Sequence, residues 1–173
     1  MDKWFMAVVV GPDRPGIVAK VTSALFDGGC NLGEASMTRL GGNFTMMLMV
    51  QREGHEKALR DLLAPVIESL GLHLHLDSIK GELHQQVEPD VRITLFGKDR
   101  SGIVSHATAA LAEAGLHILS LESDVAGSKE KPIYVLHIEG EAQEGMPSLE
   151  SALEIIANEG IETHLAPVDT VIG

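Results

Sequence analysis

The chain has 173 residues, 45% of them hydrophobic and 3% aromatic, with a formal net charge of −12 and one cysteine, Cys30. That apolar fraction suffices for one ordinary core or two small ones, while the negative charge opposes nucleic-acid binding, which needs clustered Lys and Arg, and so few rings leave no platform for stacking bases. A lone cysteine excludes a disulfide framework or a CxxC pair, no apolar run reaches the ~18 residues that span a membrane, and "MDKWFMAVVVGPDRPG" lacks the features of a secretory signal, so a cytoplasmic protein is expected.

"WFMAVVV" (4–10) is a short apolar, valine-rich run and predicts a buried strand. A turn follows over Gly11–Arg14, and Pro15 suits a first helical position, where its missing N–H costs nothing. Ile17, Val18, Val21 and Leu25 then form a helical stripe, which Gly29 is placed to end in the left-handed conformation. "CNLGEASMTRL" and "FTMMLMV" read as strands joined by the hairpin turn "GGN". "HEKALRDLLAPVIESL" is a helix closed by Gly71, with Pro65 expected to kink or break it, and "LHLHLDSI" is a fourth strand. The polar stretch 80–90, "KGELHQQVEPD", reads as a linker.

The plan then repeats. "GPDRPGIVAK" from Gly11 returns 86 positions later as "GKDRSGIVSH" from Gly97. Gly29 matches Gly115, Asn31 matches His117, and Leu32 matches Ile118. The offset later grows to about 89 through a longer hairpin loop, "AGSKEKP", which aligns Phe44 with Ile133, Ile67 with Ile156, Gly71 with Gly160 and His75 with His164. "VRITLF" is a strand, and Ile103, Val104, Ala107 and Leu111 mark a helix ended by Gly115. "LHILSLESDV" and "IYVLHI" are strands, "SLESALEIIANEG" a helix and "IETHL" the last strand. Self-similarity at a fixed period signals repeated structural units. Each copy has the order β-α-β-β-α-β, an α+β ferredoxin-like unit with helices on one face of an antiparallel sheet, so two modules are predicted, 1–79 and 91–173. In the first copy, Phe5, Ala7 and Val9 alternate with Trp4, Met6, Val8 and Val10, so both strand faces are apolar. A sheet face left to water should be polar, so the uncovered face is expected to be buried against the sister module or another chain, and a homo-oligomer is expected.

The repeated turn feeds a helix N-terminus, whose free N–H groups and dipole favour an anion. Arg14 and Arg100 add positive charge. Asp13 and Asp99 can cap the helix or hold an ammonium group, and Gly16 and Gly102 remove a Cβ from the approach. A carboxylate site beside an acid suits a zwitterion, a free amino acid; a capped turn without ligand is the plainer alternative.

"GPDRPGIVAKVTSALFDGGCNLGEASM" resembles the opening of an ACT domain, a D-R-P-G-[IV] turn followed about 15 residues later by an Asn–hydrophobic pair, and "GKDRSGIVSHATAALAEAGLHILSLES" resembles a second. The resemblance implies ferredoxin-like modules that pair side by side and bind small ligands, usually amino acids such as glycine or serine, between modules. It points to Asp13, Arg14, Gly16, Ile17, Asn31 and Leu32 in the first copy, and to Asp99, Arg100, Gly102, Ile103, His117 and Ile118 in the second. His117 in place of asparagine and Ser101 in place of proline imply a second site that binds differently, titrates, or is structural. Among tandem ACT proteins the chain is similar to the glycine cleavage system transcriptional repressor family. That similarity implies a non-enzymatic regulator of transcription that acts through a DNA-binding activator, without cofactor or metal.

Other readings remain. ACT modules like the first copy precede catalytic domains in formyltetrahydrofolate deformylases and some phosphoserine phosphatases, so a regulatory subunit or scaffold for amino-acid or folate metabolism is an alternative. The chain starts at Met1 and completes two modules, so it is expected to be whole. An acylphosphatase-like enzyme would use Arg14 and Asn43, but Asp13 would repel its phosphate. An RNA-recognition module would need exposed aromatics on the central strands. His73 and His75, on one strand face, could bind metal with His164 but at i, i+2 are only half a site, and Cys30 reads as a small buried hydrophobe. Adjacent Ser105 and His106 on one helix face different directions.

Overall fold

The computed structural model describes residues 2–80, 87–98 and 102–168. The chain divides into two compact units, Met1–His84 and Gln85–Gly173. In the first, β1 (Asp2–Pro12), α1 (Ile17–Asp27), β2 (Asn31–Leu40), β3 (Asn43–Glu53), α2 (Glu56–Leu70) and β4 (His73–Ile79) follow in order. The second repeats them as β5 (Val91–Lys98), α3 (Ile103–Glu113), β6 (Leu116–Ser128), β7 (Lys131–Ala142), α4 (Met146–Asn158) and β8 (Glu162–Pro167). The sheets have the equivalent orders β2-β3-β1-β4 and β6-β7-β5-β8, antiparallel throughout. Both units are the ferredoxin-like α+β modules expected from the sequence.

Each core lies between the sheet and its helices. Phe5, Ala7 and Val9 on β1 meet Ile17, Val21 and Leu25 on α1 and Leu59, Leu63 and Ile67 on α2, all of them buried. The helical residues recur every fourth position, the spacing that keeps them on one face. Val18 departs from the predicted stripe: one residue past Ile17, it points away from the core and is 43% exposed. The second core repeats the first with Ile93 and Leu95, Ala107 and Leu111, and Leu149, Leu153 and Ile156.

Several local expectations are corrected. Pro15 is not the first helical residue; it shares a turn with Gly16, and α1 starts at Ile17. Gly16 is left-handed, at φ 86°, and its equivalent Gly102 has φ 94°, so glycine is needed there for its backbone conformation. Gly29 and Gly115 are likewise left-handed after their helices. Pro65 does not break α2, which runs on to Leu70. The longer second hairpin carries no long loop: the strands β6 and β7 extend, Ser128 pairs with Lys131, and Lys129–Glu130 make the turn. Its register also corrects the repeat. Gly11 faces Phe44 and Gly97 faces Tyr134, so Phe44 corresponds to Tyr134 and not Ile133.

Of the stretch read as a linker, 81–86 lie outside the described residues. Its last residue is part of the second sheet's margin. Asp90 donates its N–H to the Gly140 carbonyl at 3.0 Å and accepts from Val168 N–H at 2.8 Å, and its side chain accepts from Ala142 N–H at 2.9 Å.

Candidate functional site

A groove of about 590 Å³ opens where β1 hands over to α1, lined by Asp13, Arg14, Pro15, Gly16, Ile17, Val18 and Ala19 together with Met37, Arg39 and Phe44. Its shape follows from the turn. Gly11, next to last in β1, lies so close to the chain leaving α2 that a Cβ there would be 2.6 Å from the Leu72 side chain and 3.3 Å from its Cα. The chain then turns through Pro15 and the left-handed Gly16. Lys20 donates the first intrahelical bond, to the Gly16 carbonyl at 3.0 Å. The N–H groups of Ile17, Val18 and Ala19 precede that bond and have no side-chain cap, so the positive end of the helix faces the groove.

The charges differ from expectation at one point. Asp13 does not cap the helix; its carboxylate is ion-paired with Arg39 of β2, while its own N–H donates to the Gly42 carbonyl at 3.0 Å. Arg14 is exposed at the rim. With Asp13 answering Arg39, Arg14 and the helix end leave a net positive mouth on a chain of charge −12. Ile17, Val18, Met37 and Phe44 give the groove an apolar wall. The arrangement can hold a carboxylate against backbone N–H groups and an apolar body against that wall.

Of the six first-copy residues, the structure brings together Asp13, Arg14, Gly16 and Ile17. It does not bring Asn31 and Leu32 to them. Asn31 pairs across to Gln51, level with Trp4, whereas the groove lies beyond Pro12 at the other end of β1. Eight strand residues separate those levels, roughly 27 Å at about 3.4 Å per residue. The Asn31 side-chain amide reaches Gln51 at 3.4 Å and borders a separate hollow with Gly28, Gly29, Arg52 and Glu53.

In the second unit, Asp99, Arg100 and Ser101 lie outside the described residues. Gly102 precedes α3 as Gly16 precedes α1, and Ile103 is buried. His117 and Ile118 are the second and third residues of β6, where the His117 ring lies 3.8 Å from the Glu141 carboxylate. Asn43 does not line the groove with Arg14; its amide donates to Gly41 carbonyl at 3.3 Å within the hairpin turn.

His75 and His164 hold equivalent places on β4 and β8, and each is bonded within its own strand, to Asp77 and Glu162, at 2.9 Å in both cases. Among the described residues no three His, Cys, Asp or Glu side chains converge for a metal. His106 faces Glu159 at 3.9 Å. Cys30 is buried. Burial pushes its thiol above the ordinary value of 9.0, with Arg52 opposing. No described helix is long and apolar enough to cross a membrane.

Sequence reading did not single out Arg39, Met37 or Phe44. They reach the groove through strand pairing, with Arg39 opposite Phe44 and Met37 opposite Met46, and nothing next to the Asp-Arg-Pro-Gly turn announces them.

Two ferredoxin-like βαββαβ modules in tandem define the class of the fold. Residues 4–77 match the ACT domain. A 74-residue segment is 36% identical to the UPF0237 protein YjhC of Lactococcus lactis subsp. lactis (strain IL1403), covering 42% of this chain and 85% of that protein. The chain belongs to the ACT-domain family. Among solved structures, an unknown protein from Galdieria sulphuraria superposes with a TM-score of 0.75 at 24% identity, over 97% of this chain and 99% of its own. A proposed glycine cleavage system transcriptional repressor superposes with a TM-score of 0.73 at 18% identity, over 97% and 98%. Both likenesses extend the shared fold across the two modules.

Proposed function

We propose that this protein is a non-enzymatic regulator that binds a free amino acid at the α1 groove and passes the signal on by protein contacts. The observation that carries the reading is the groove itself: Arg14 and three uncapped N–H groups stand beside the Ile17–Met37–Phe44 wall. An α-carboxylate matches the positive end and a side chain matches the wall. Asn31 and Leu32 lie too far away to share this groove, so any part they take belongs to a different site. Gly102, Ile103, His117 and Ile118, with Asp99 and Arg100, are the proposed second-copy counterparts.

The finer reading is transcriptional control of glycine cleavage through a DNA-binding activator in the cytoplasm. It is supported by the tandem Asp-Arg turns and by the shared fold of the proposed repressor. A ligand acts through such a protein only if it binds two states with different affinity. Titration calorimetry against glycine, serine, valine and leucine tests the first step. Saturable heat whose affinity falls about tenfold in Arg14→Ala supports the groove, and silence from all four at millimolar concentration overturns it. Affinity capture of a DNA-binding protein, strengthened or weakened by the bound amino acid, tests the second.

A further inference from the structure

The two sheets differ on the face turned away from their helices. In the first, β1 and β3 place Trp4, Met6, Val8, Val10, Met47 and Met49 there, with Met6 opposite Met49 and Val8 opposite Met47; Met47 and Val10 are exposed, while Met49 is already covered by its neighbours. In the second, Arg92 holds the place of Met6 and Glu139 that of Met49, and the pair is a salt bridge at 2.6 Å. Thr94 and His137 hold the places of Val8 and Met47 and are hydrogen-bonded at 3.3 Å. Two apolar cross-strand pairs in one module are thus two polar, mutually satisfied pairs in the other. The second sheet shows how this fold makes that face for water; the first is made for a dry contact.

We infer that a second copy of this chain covers the first sheet's open face, face to face about a two-fold axis. Charge selects that occupant. Two chains of −12 repel each other over most of their surfaces. Across the first sheet's four strands, between the Trp4–Gln51 and Val10–Thr45 rows, the acids are Asp77, already bonded to His75, and Glu34 at the β2 bulge. Self-apposition there brings few like charges together. The second sheet's face carries Glu122, Asp124, Glu139 and Glu162 against Arg92 and Lys98, so the same apposition is disfavoured. Four strands about 4.8 Å apart and about eight residues long give a face of roughly 500 Å² per partner, near the lower size for a specific, reversible interface. The three methionines suit a surface that must repack against itself. The inference does not depend on what the groove binds.

The test copies the second module into the first. Met6→Arg with Met49→Glu rebuilds the Arg92–Glu139 pair at equivalent positions, and Met47→His is a milder companion. Sedimentation equilibrium of the full chain should give twice the chain mass at tens of micromolar, and the double variant should dissociate on the order of 100-fold more readily, since an ion pair taken out of water at a dry contact is costly. Circular dichroism should show both variants folded. Trp4, the only tryptophan, lies on this face, and a Cβ on Gly33 would approach its ring to 2.9 Å, so its emission should shift red on dilution. A monomeric wild type overturns the inference. So does a folded double variant that dimerises as tightly as wild type, since association then uses another surface.

Discussion

Asp13 in the β1–α1 turn is ion-paired with Arg39 on β2, tying the loop to the sheet edge and leaving Arg14 as the groove's uncommitted cation. The pair is solvent-facing, with Arg39 68% exposed, so its net worth is under about 1 kcal/mol. Asp13→Asn should therefore hardly move the melting temperature. Arg14→Ala should leave it unchanged but weaken carboxylate binding about tenfold, the usual scale of one charge-assisted bond. Thermal melts with calorimetry separate the two; equal ligand affinity in Arg14→Ala and wild type would remove Arg14 from the site.

Gly16 and Gly102 have φ of 86° and 94°, and a Cβ at either would meet nothing within 4 Å. Alanine at either position should cost about 1–2 kcal/mol, all of it backbone strain. Gly16→Asn should recover part of that loss, because asparagine tolerates the left-handed region better. Chemical denaturation of the three variants reads this, and an unaffected Gly16→Ala would mean that the corner rearranges freely.

Gly11 and Gly97 open the two copies of the turn, yet they should not respond alike. A Cβ on Gly11 meets both the Leu72 side chain at 2.6 Å and its Cα at 3.3 Å, whereas one on Gly97 meets the Ile103 Cδ1 at 2.9 Å, the far end of a movable side chain. Gly11→Ala should cost more than Gly97→Ala, by roughly 1–2 kcal/mol. The reverse order in urea denaturation would contradict the packing described here.

The repeated Asp-Arg turn and the helix periodicities were legible because each is written in neighbouring residues. The i, i+4 series of Ile17, Val21 and Leu25 declares a helix and its buried face together. What remained hidden depends on strand register. Arg39 meets Asp13, and Arg92 meets Glu139, only after β2 and β7 have paired. The apolar character of the first sheet's open face was visible from its alternation. Its polar counterpart needed the alignment of Met6 with Arg92 and of Met49 with Glu139, and the misplaced match of Phe44 with Ile133 would have put that second strand on the wrong face, since one residue of slip exchanges the two sides.

Pro65 sits inside α2 on an exposed position. It has no N–H to donate one turn back, a loss that ordinarily costs a helix interior about 3 kcal/mol. Leu63 and Ile67 beside it are buried against the sheet, and that packing holds the helix through the defect. Pro65→Ala should then raise stability by about 1–3 kcal/mol, seen as a higher melting temperature; a fall would mean that the proline's shape is itself needed.

Cys30 follows α1 with its thiol raised by burial, against the pull of Arg52. A raised folded value means the native state resists ionisation more than the unfolded chain does. Below the unfolded value, ordinarily 9.0, both states keep the proton and this group leaves stability flat. As pH rises past it, the unfolded chain loses its proton first and stability declines until the folded thiol ionises too. Native protein should therefore react with iodoacetamide at least about tenfold more slowly than urea-unfolded protein at pH 8, because the thiolate is the reactive form. Cys30→Ala should flatten the alkaline fall in stability between pH 8 and 10. Rapid alkylation without denaturant would place the thiol at the surface and contradict its burial.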